Sequence, residues 1–280
     1  MGSGYGSIRR RRLILFSMIF FDIIASGSKG NATLVFADNH LFLIDLGITL
    51  KQLKDELNIF DKDICDIEAL FVTHDHADHY KGLKSISPKK QYALEGTLPT
   101  SLSNVLELNK TYDFSGVKVT PFKTSHDATN PCGFMFETST EKLVYMTDTG
   151  VYLSENTPIV KNPDYLIIES NHDISMELKC NRPMELKQRI MSDYGHLCNE
   201  DSAFATLEII GDRTKEIVLA HLSEEANMPE VALEAYRKVF SYRHVDINKY
   251  KVRCANQYEH LIGGHYHSKD LSGAPAHLPP

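Results

Sequence analysis

Thr73-His74-Asp75-His76-Ala77-Asp78-His79 sets three imidazoles and two carboxylates within seven consecutive residues. Chance produces a His-x-His-x-Asp-His pattern in roughly two of a thousand chains of this composition, so a merely solvated polar loop is the weaker reading. Neutral imidazoles suit zinc and similar ions, and carboxylates offset the charge of dications. The run follows the apolar segment Ala69 to Val72, which reads as a buried strand. Proteins of the α/β class place their chemistry at the C-terminal ends of such strands.

The same arrangement recurs along the chain. Strands are expected at Val117 to Phe122, Gly133 to Phe136, Leu143 to Met146, Tyr165 to Ile168 and Ile217 to Ala220. The polar loops among them are Ser125-His126-Asp127, Thr147-Asp148-Thr149 and Glu169-Ser170-Asn171-His172-Asp173, and the last strand runs straight into His221. A dinuclear hydrolytic site needs two groups of ligands and one anionic bridge. The reading therefore gives His74, His76 and His126 to one divalent metal, Asp78, His79 and His221 to a second, and Asp148 to both. Alternation along an extended loop is expected to separate His74 and His76 from Asp78 and His79. Any of the three distant residues alone would be an ordinary hydrogen-bonded loop residue; their shared position at strand ends carries the assignment. His40, His244, His260, His265, His267 and His277 lack that context.

The rest of the chain reads as a frame for this cluster. Ile19 to Ala25 is expected to be a strand entering the tight loop Ser26-Gly27-Ser28-Lys29-Gly30, and Leu34 to Phe36 and Leu41 to Ile44 form a hairpin. Helices are expected around Leu53 to Leu57 and over Pro183 to Ser192, Asn199 to Ile210 and Pro229 to Phe240, with Pro183 and Pro229 opening theirs. A length of 280 residues with 42% apolar side chains supports one large core, so one domain is expected over 18–265. Residues 1–17 read as a tag or read-through extension before Met18, and 266–280 as a flexible tail. The apolar run Leu13 to Phe21 stops at Asp22 and is too short to span a bilayer, so no membrane role is expected. Five cysteines without a Cys-x-x-Cys pair argue for a reducing compartment, the cytoplasm, and against a structural zinc site. A net charge of -7 offers nucleic acid no global attraction, so an anionic substrate must be held locally. Lys81, Lys84, Lys187 and Arg189 are the local candidates, the last two reading better as a solvated helical face.

Leu43-Ile44-Asp45-Leu46-Gly47, the His74 to His79 cluster, His126, Asp148 and His221 together resemble the motif series of the metallo-β-lactamase superfamily. Ala25-Ser26-Gly27-Ser28-Lys29-Gly30-Asn31, Ser125-His126-Asp127-Ala128, Thr147-Asp148-Thr149-Gly150, Glu169 to Asp173, Gly195-His196-Leu197 and Leu219 to Ser223 look like its YycJ/VicX-type branch. The resemblance implies an α/β (α+β) fold built as a four-layer αββα sandwich, with two divalent ions at one sheet edge. Zinc is the first choice of ion, with manganese, iron or cobalt tolerated, and no organic cofactor is implied. It also implies a phosphodiester hydrolase, a DNA exonuclease first, with DNA or RNA as partner. Asp45 would support the ligand loop by hydrogen bonding and Asn171 would orient a neighbouring loop. For such a reaction Asp78 could orient the attacking water and accept its proton. His196 is the candidate proton donor or phosphate contact, and His172 a catalytic, substrate-side or supporting residue. Cys198 departs from the Ser usual after Gly-His-Leu. Asp148 stands where β-lactam-opening enzymes commonly carry Cys, which disfavours that activity as the main role. The rival readings are a phosphodiesterase for small or cyclic nucleotides, a lactonase or ester hydrolase with weak β-lactam turnover, and a non-catalytic metal-stabilised regulatory module.

Overall fold

Short apolar runs, most of them buried on both faces, pair into two sheets. The computed structural model describes residues 18–99 and 104–265, so the expectations for residues 1–17 and 266–280 lie outside the described residues. β1 (Ile19–Ala25), β2 (Ala32–Ala37) and β3 (His40–Ile44) form an antiparallel meander. At the β2–β3 turn Asp38 and Asn39 adopt φ of 49° and 71°, the left-handed pair a two-residue hairpin needs. α1 (Leu50–Ile59) opens on a capping box between Thr49 and Gln52 and buries Leu53 and Leu57. β4 (Ile67–Phe71), α2 (Ala77–Tyr80), β5 (Gln91–Leu94) and β6 (Asn104–Leu106) complete the first half.

The second half runs β7 (Tyr112–Phe114), β8 (Val117–Lys123), β9 (Cys132–Glu137), β10 (Lys142–Met146), α3 (Thr157–Val160) and β11 (Tyr165–Glu169). It continues through α4 (Ile174–Lys179), α5 (Met184–Ile190), α6 (Asn199–Ile209), β12 (Glu216–Ala220), α7 (Pro229–Tyr242) and β13 (Lys251–Cys254). β14 (Leu261–Gly264) then returns to pair with β1. The strand orders are β14-β1-β2-β3-β4-β5-β6 and β13-β12-β11-β10-β9-β8-β7.

Phe21, Phe42 and Phe71 from the first sheet meet Phe134, Phe136 and Val218 from the second in the central core. α1 covers the outer face of the first sheet, setting Leu53 and Leu57 on Leu34, Leu43 and Leu70. α6 and α7 cover the other, setting Ile209, Tyr236 and Phe240 on Leu166, Ile168 and Leu219. The result is the expected αββα sandwich, and burial on both faces explains why the strands read as solid apolar runs. The sequence reading missed β5, β6, β7, β13 and β14, which are three or four residues long and, except for β14, partly polar, as in Lys251-Val252-Arg253-Cys254. Cys198, the departure from the family pattern, caps α6 by accepting from the Asp201 N–H through Sγ.

Phe71 touches Phe42 and Tyr92 in its own sheet and Phe114, Phe134 and Phe136 in the facing one. Phe71→Ala should cost about 3–5 kcal/mol of unfolding free energy in denaturant titration, and a loss below about 1 kcal/mol would contradict its bridging role.

Candidate metal centre

Register brings the polar loops to one level. β10, β11 and β12 run parallel with Met146, Ile168 and Leu219 side by side, so Asp148, Glu169 and His221 emerge together. β3 and β4 pair Ile44 with Phe71, which places Asp45 beside the start of the histidine run. Asp45, Asp148 and His221 all take left-handed backbone, with φ of 57°, 54° and 56°. Non-glycine residues there cost about 1–3 kcal/mol each and gather at functional sites.

The histidine run is shaped by a buried carboxylate. Asp45 Oδ1 accepts from the Thr73 N–H at 2.9 Å, and Oδ2 accepts from the Thr73 hydroxyl at 2.9 Å and from His79 Nδ1 at 2.8 Å. Thr73 Oγ1 lies 3.0 Å from His74 Nδ1, which directs the other His74 nitrogen away from the protein frame. Extended alternation does not separate the two ligand pairs, as the sequence reading expected; α2 does, because its helical turn carries Asp78 and His79 off the line of His74 and His76. Gly47 is required beside this turn, since a Cβ there would lie 1.5 Å from the Asp78 carbonyl oxygen. Asn31, quoted in the sequence only as the end of a motif and given no role there, holds the turn: its N–H donates to the Asp78 carbonyl at 2.8 Å, and its Nδ2 lies 2.9 Å from His79 Nε2. A cation at His79 would take that lone pair in place of the amide.

Glu169 organises the opposite side; the sequence reading quoted it in a polar loop and a branch motif but gave it no role. Its Oε1 accepts from His196 Nδ1 at 2.8 Å and His221 Nδ1 at 2.9 Å, while Oε2 accepts from the Thr149 N–H at 2.9 Å. The Gly195 carbonyl does the same for His126 Nδ1 at 2.9 Å. Carboxylates and carbonyls that hold one imidazole nitrogen fix the other for a metal.

Side-chain donors then converge. His74, His76 and His126 form one group, Asp78, His79 and His221 another, and Asp148 joins both sides, within 4.8 Å of His74 and His79 in one set and of Glu169, His196 and His221 in another. His74 Nε2, His221 Nε2 and Asp148 Oδ2 are buried without any hydrogen-bond partner. Orphaned buried nitrogens of His74 and His221, each grouped with the Asp148 carboxylate, fit divalent cations. Burial would raise the Asp148 carboxyl, but His221, His79, His74 and His126 outweigh it and hold it well below its ordinary range. Burial would lower His79 and His221, but Asp45 and Asp148 hold the first up to about 9, and Asp148 and Glu169 hold the second up to about 10. Glu169 is likewise held down to about 2, its burial overcome by His196 and His221.

Other residues stand apart. Asp75 ties the loop, accepting from the Thr129 N–H at 2.9 Å. Asn171 Nδ2 donates to the His221 carbonyl at 2.8 Å. His172 is 1% exposed, bridges backbone to Cys198, joins none of the ligand groups and keeps Nδ1 buried without a hydrogen-bond partner. Burial pushes it down to about 4, neutral at ordinary pH. Lys187 is not a solvated helical residue; it is buried and donates to the Leu178 carbonyl, while Arg189 pairs with Asp127.

A Beta-lactamase superfamily domain model matches residues 40–221, and the chain belongs to that superfamily. Within it, the chain is 36% identical over 227 residues to the exodeoxyribonuclease YycJ of Bacillus anthracis, covering 76% of this chain and 86% of that protein. It is 35% identical over 227 residues to the exodeoxyribonuclease WalJ of Streptococcus pneumoniae, covering 76% and 84% respectively. The chain is thus a member of the YycJ/WalJ branch. The metallo-β-lactamase fold protein YhfI from Bacillus subtilis shares the fold at a TM-score of 0.66 and 15% identity, covering 89% of this chain and 100% of that one.

Glu169→Gln removes the anionic acceptor of two imidazoles. It should weaken divalent-metal binding about 10–100-fold in chelator competition, and an unchanged affinity would contradict the positioning role.

Proposed function

We propose that this protein is a metal-dependent DNA exonuclease that hydrolyses phosphodiester bonds at a two-cation centre, with zinc as the first-choice ion. The observation that carries the reading is the convergence of seven nitrogen and carboxylate donors, Asp148 among them, with no thiolate in the set, in a chain matched to exodeoxyribonucleases. His74, His76 and His126 would hold one cation, Asp78, His79 and His221 the other, and Asp148 both. Bound there, divalent cations supply Lewis acidity that activates water near neutral pH and offsets the charge of the phosphate.

The chain's own groups do the rest. Asp78, at the mouth of the cleft with its side chain 24% exposed, orients the attacking water and takes its proton. His196 is held through Nδ1 by Glu169, which leaves Nε2 to meet the leaving oxygen and hand it a proton. His172 supports the start of α6 and takes no part in the chemistry. A cavity of about 680 Å³ opens beside the ligand loop, lined by Asp75, Tyr80, Lys81, Lys84 and Leu98 among others. It offers an apolar wall for a base and two ammonium groups for phosphates. The same dimensions would accept a free nucleotide, which keeps a small phosphodiester as the second reading. Free cysteines throughout the described residues support a cytoplasmic setting.

The test is metal-loaded protein on end-labelled single- and double-stranded DNA, RNA and a bis-aryl phosphodiester. Release of mononucleotides from a DNA end, abolished by chelator and by Asp148→Ala, is expected. Cleavage of the small ester alone would overturn the reading. His196→Gln should lower kcat about 10²–10⁴-fold with metal content unchanged, and full activity in that variant would remove His196 from the reaction.

A further inference from the structure

Asp22 is a carboxylate in the wrong place for a strand. It lies in β1 on the face shared with Phe20 and Ile24, under α1, within the layer built by Leu34, Leu53 and Leu57. Its exposure is 0%, and neither of its oxygens has a hydrogen-bond partner. Two groups face it. Glu56 comes from α1, and His260 from the segment entering β14, with side chains 14% and 30% exposed. His260 Nδ1 lies 3.4 Å from Asp22 Oδ1 and directly against Glu56 Oε1.

His260 Nδ1 and Glu56 Oε1 are also buried without a hydrogen-bond partner, although the two are in ion-pair contact. Asp22 is left buried and unbonded, a costly arrangement for an ionised carboxyl. One cation reached by Nδ1, Glu56 Oε1 and Asp22 Oδ1 satisfies all three at once. The donor atoms lie within 4.8 Å of one another, and the 3.4 Å between Asp22 and His260 equals the separation of His79 Nε2 from Asp148 Oδ2 in the main cleft. The set carries two negative charges with a neutral imidazole, matched to a dication, and nitrogen with carboxylate oxygen suits zinc or manganese.

We propose that Asp22, Glu56 and His260 form a separate mononuclear site for a divalent transition-metal ion of the zinc class, on the outer face of the first sheet. The partial exposure of Glu56 and His260 leaves room for water to complete the coordination. The ion fastens the first strand, the first helix and the last strand together across most of the chain length, a structural role independent of catalysis. It acts as a staple between β1 and β14, whose pairing places Asp22 opposite Ile262.

Full-length protein stripped by chelator would be titrated with zinc, and separately with manganese, and bound metal counted by mass spectrometry. Asp22→Asn, which keeps the shape of the side chain, and His260→Gln, which alters a partly exposed ring, would be compared with the parent. The same pair would be made in a His74→Ala/Asp148→Ala background. Each variant should bind one equivalent less than its own parent in both backgrounds, and metal should raise the melting temperature of the parent more than that of either variant. An unchanged stoichiometry in either variant would overturn the site. Because the count is a difference, it stands whatever number of ions the main cleft holds.

Discussion

The Glu169 carboxylate is the contact on which the cleft depends. It lies at the end of β11, fully buried, and accepts from His221, His196 and the Thr149 N–H. Through them it fixes the ring of a metal-type ligand, the ring of the candidate proton donor and the loop that follows Asp148. Asp45 does the corresponding work for His79 and Thr73 on the other sheet. A buried carboxylate is costly unless its oxygens are bonded, and here bonding and orientation are achieved by the same contacts.

Rigid support makes that arrangement possible. Strands packed on both faces by phenylalanines and by covering helices cannot shift by a residue without exposing apolar surface, so the levels of Asp148, Glu169 and His221 are set by the sheet register. The left-handed backbone at Asp45, Asp148 and His221 departs from the regular strand geometry and turns each side chain into the cleft. Stability held in the core offsets strain held at the site.

Much of this was legible in the sequence, for physical reasons. Long apolar runs such as Ile19–Ala25 and Tyr165–Glu169 announce doubly buried strands, and a dense His/Asp run at a strand end announces metal chemistry. The supporting contacts were harder to see. Glu169 and Asn31 act through residues 20 to 52 positions away, and a single sequence does not reveal such pairings. His172 stands in a loop that is polar in composition, yet the residue is buried and its backbone bridges to Cys198. Lys187 misled, since a lysine in an amphipathic helix usually reaches solvent, but here its ammonium binds a carbonyl. Asp22, used as a mark against a membrane span, is a buried carboxylate that faces Glu56 and His260.

The central proposal is that Asp148 would serve two cations, one held on each side of the cleft. Anomalous diffraction from crystals of the zinc-loaded protein tests it most directly. The account predicts two zinc peaks in the cleft, one against His74, His76 and His126 and one against Asp78, His79 and His221, both touching Asp148. A single peak, or peaks that leave Asp148 uncoordinated, would contradict it.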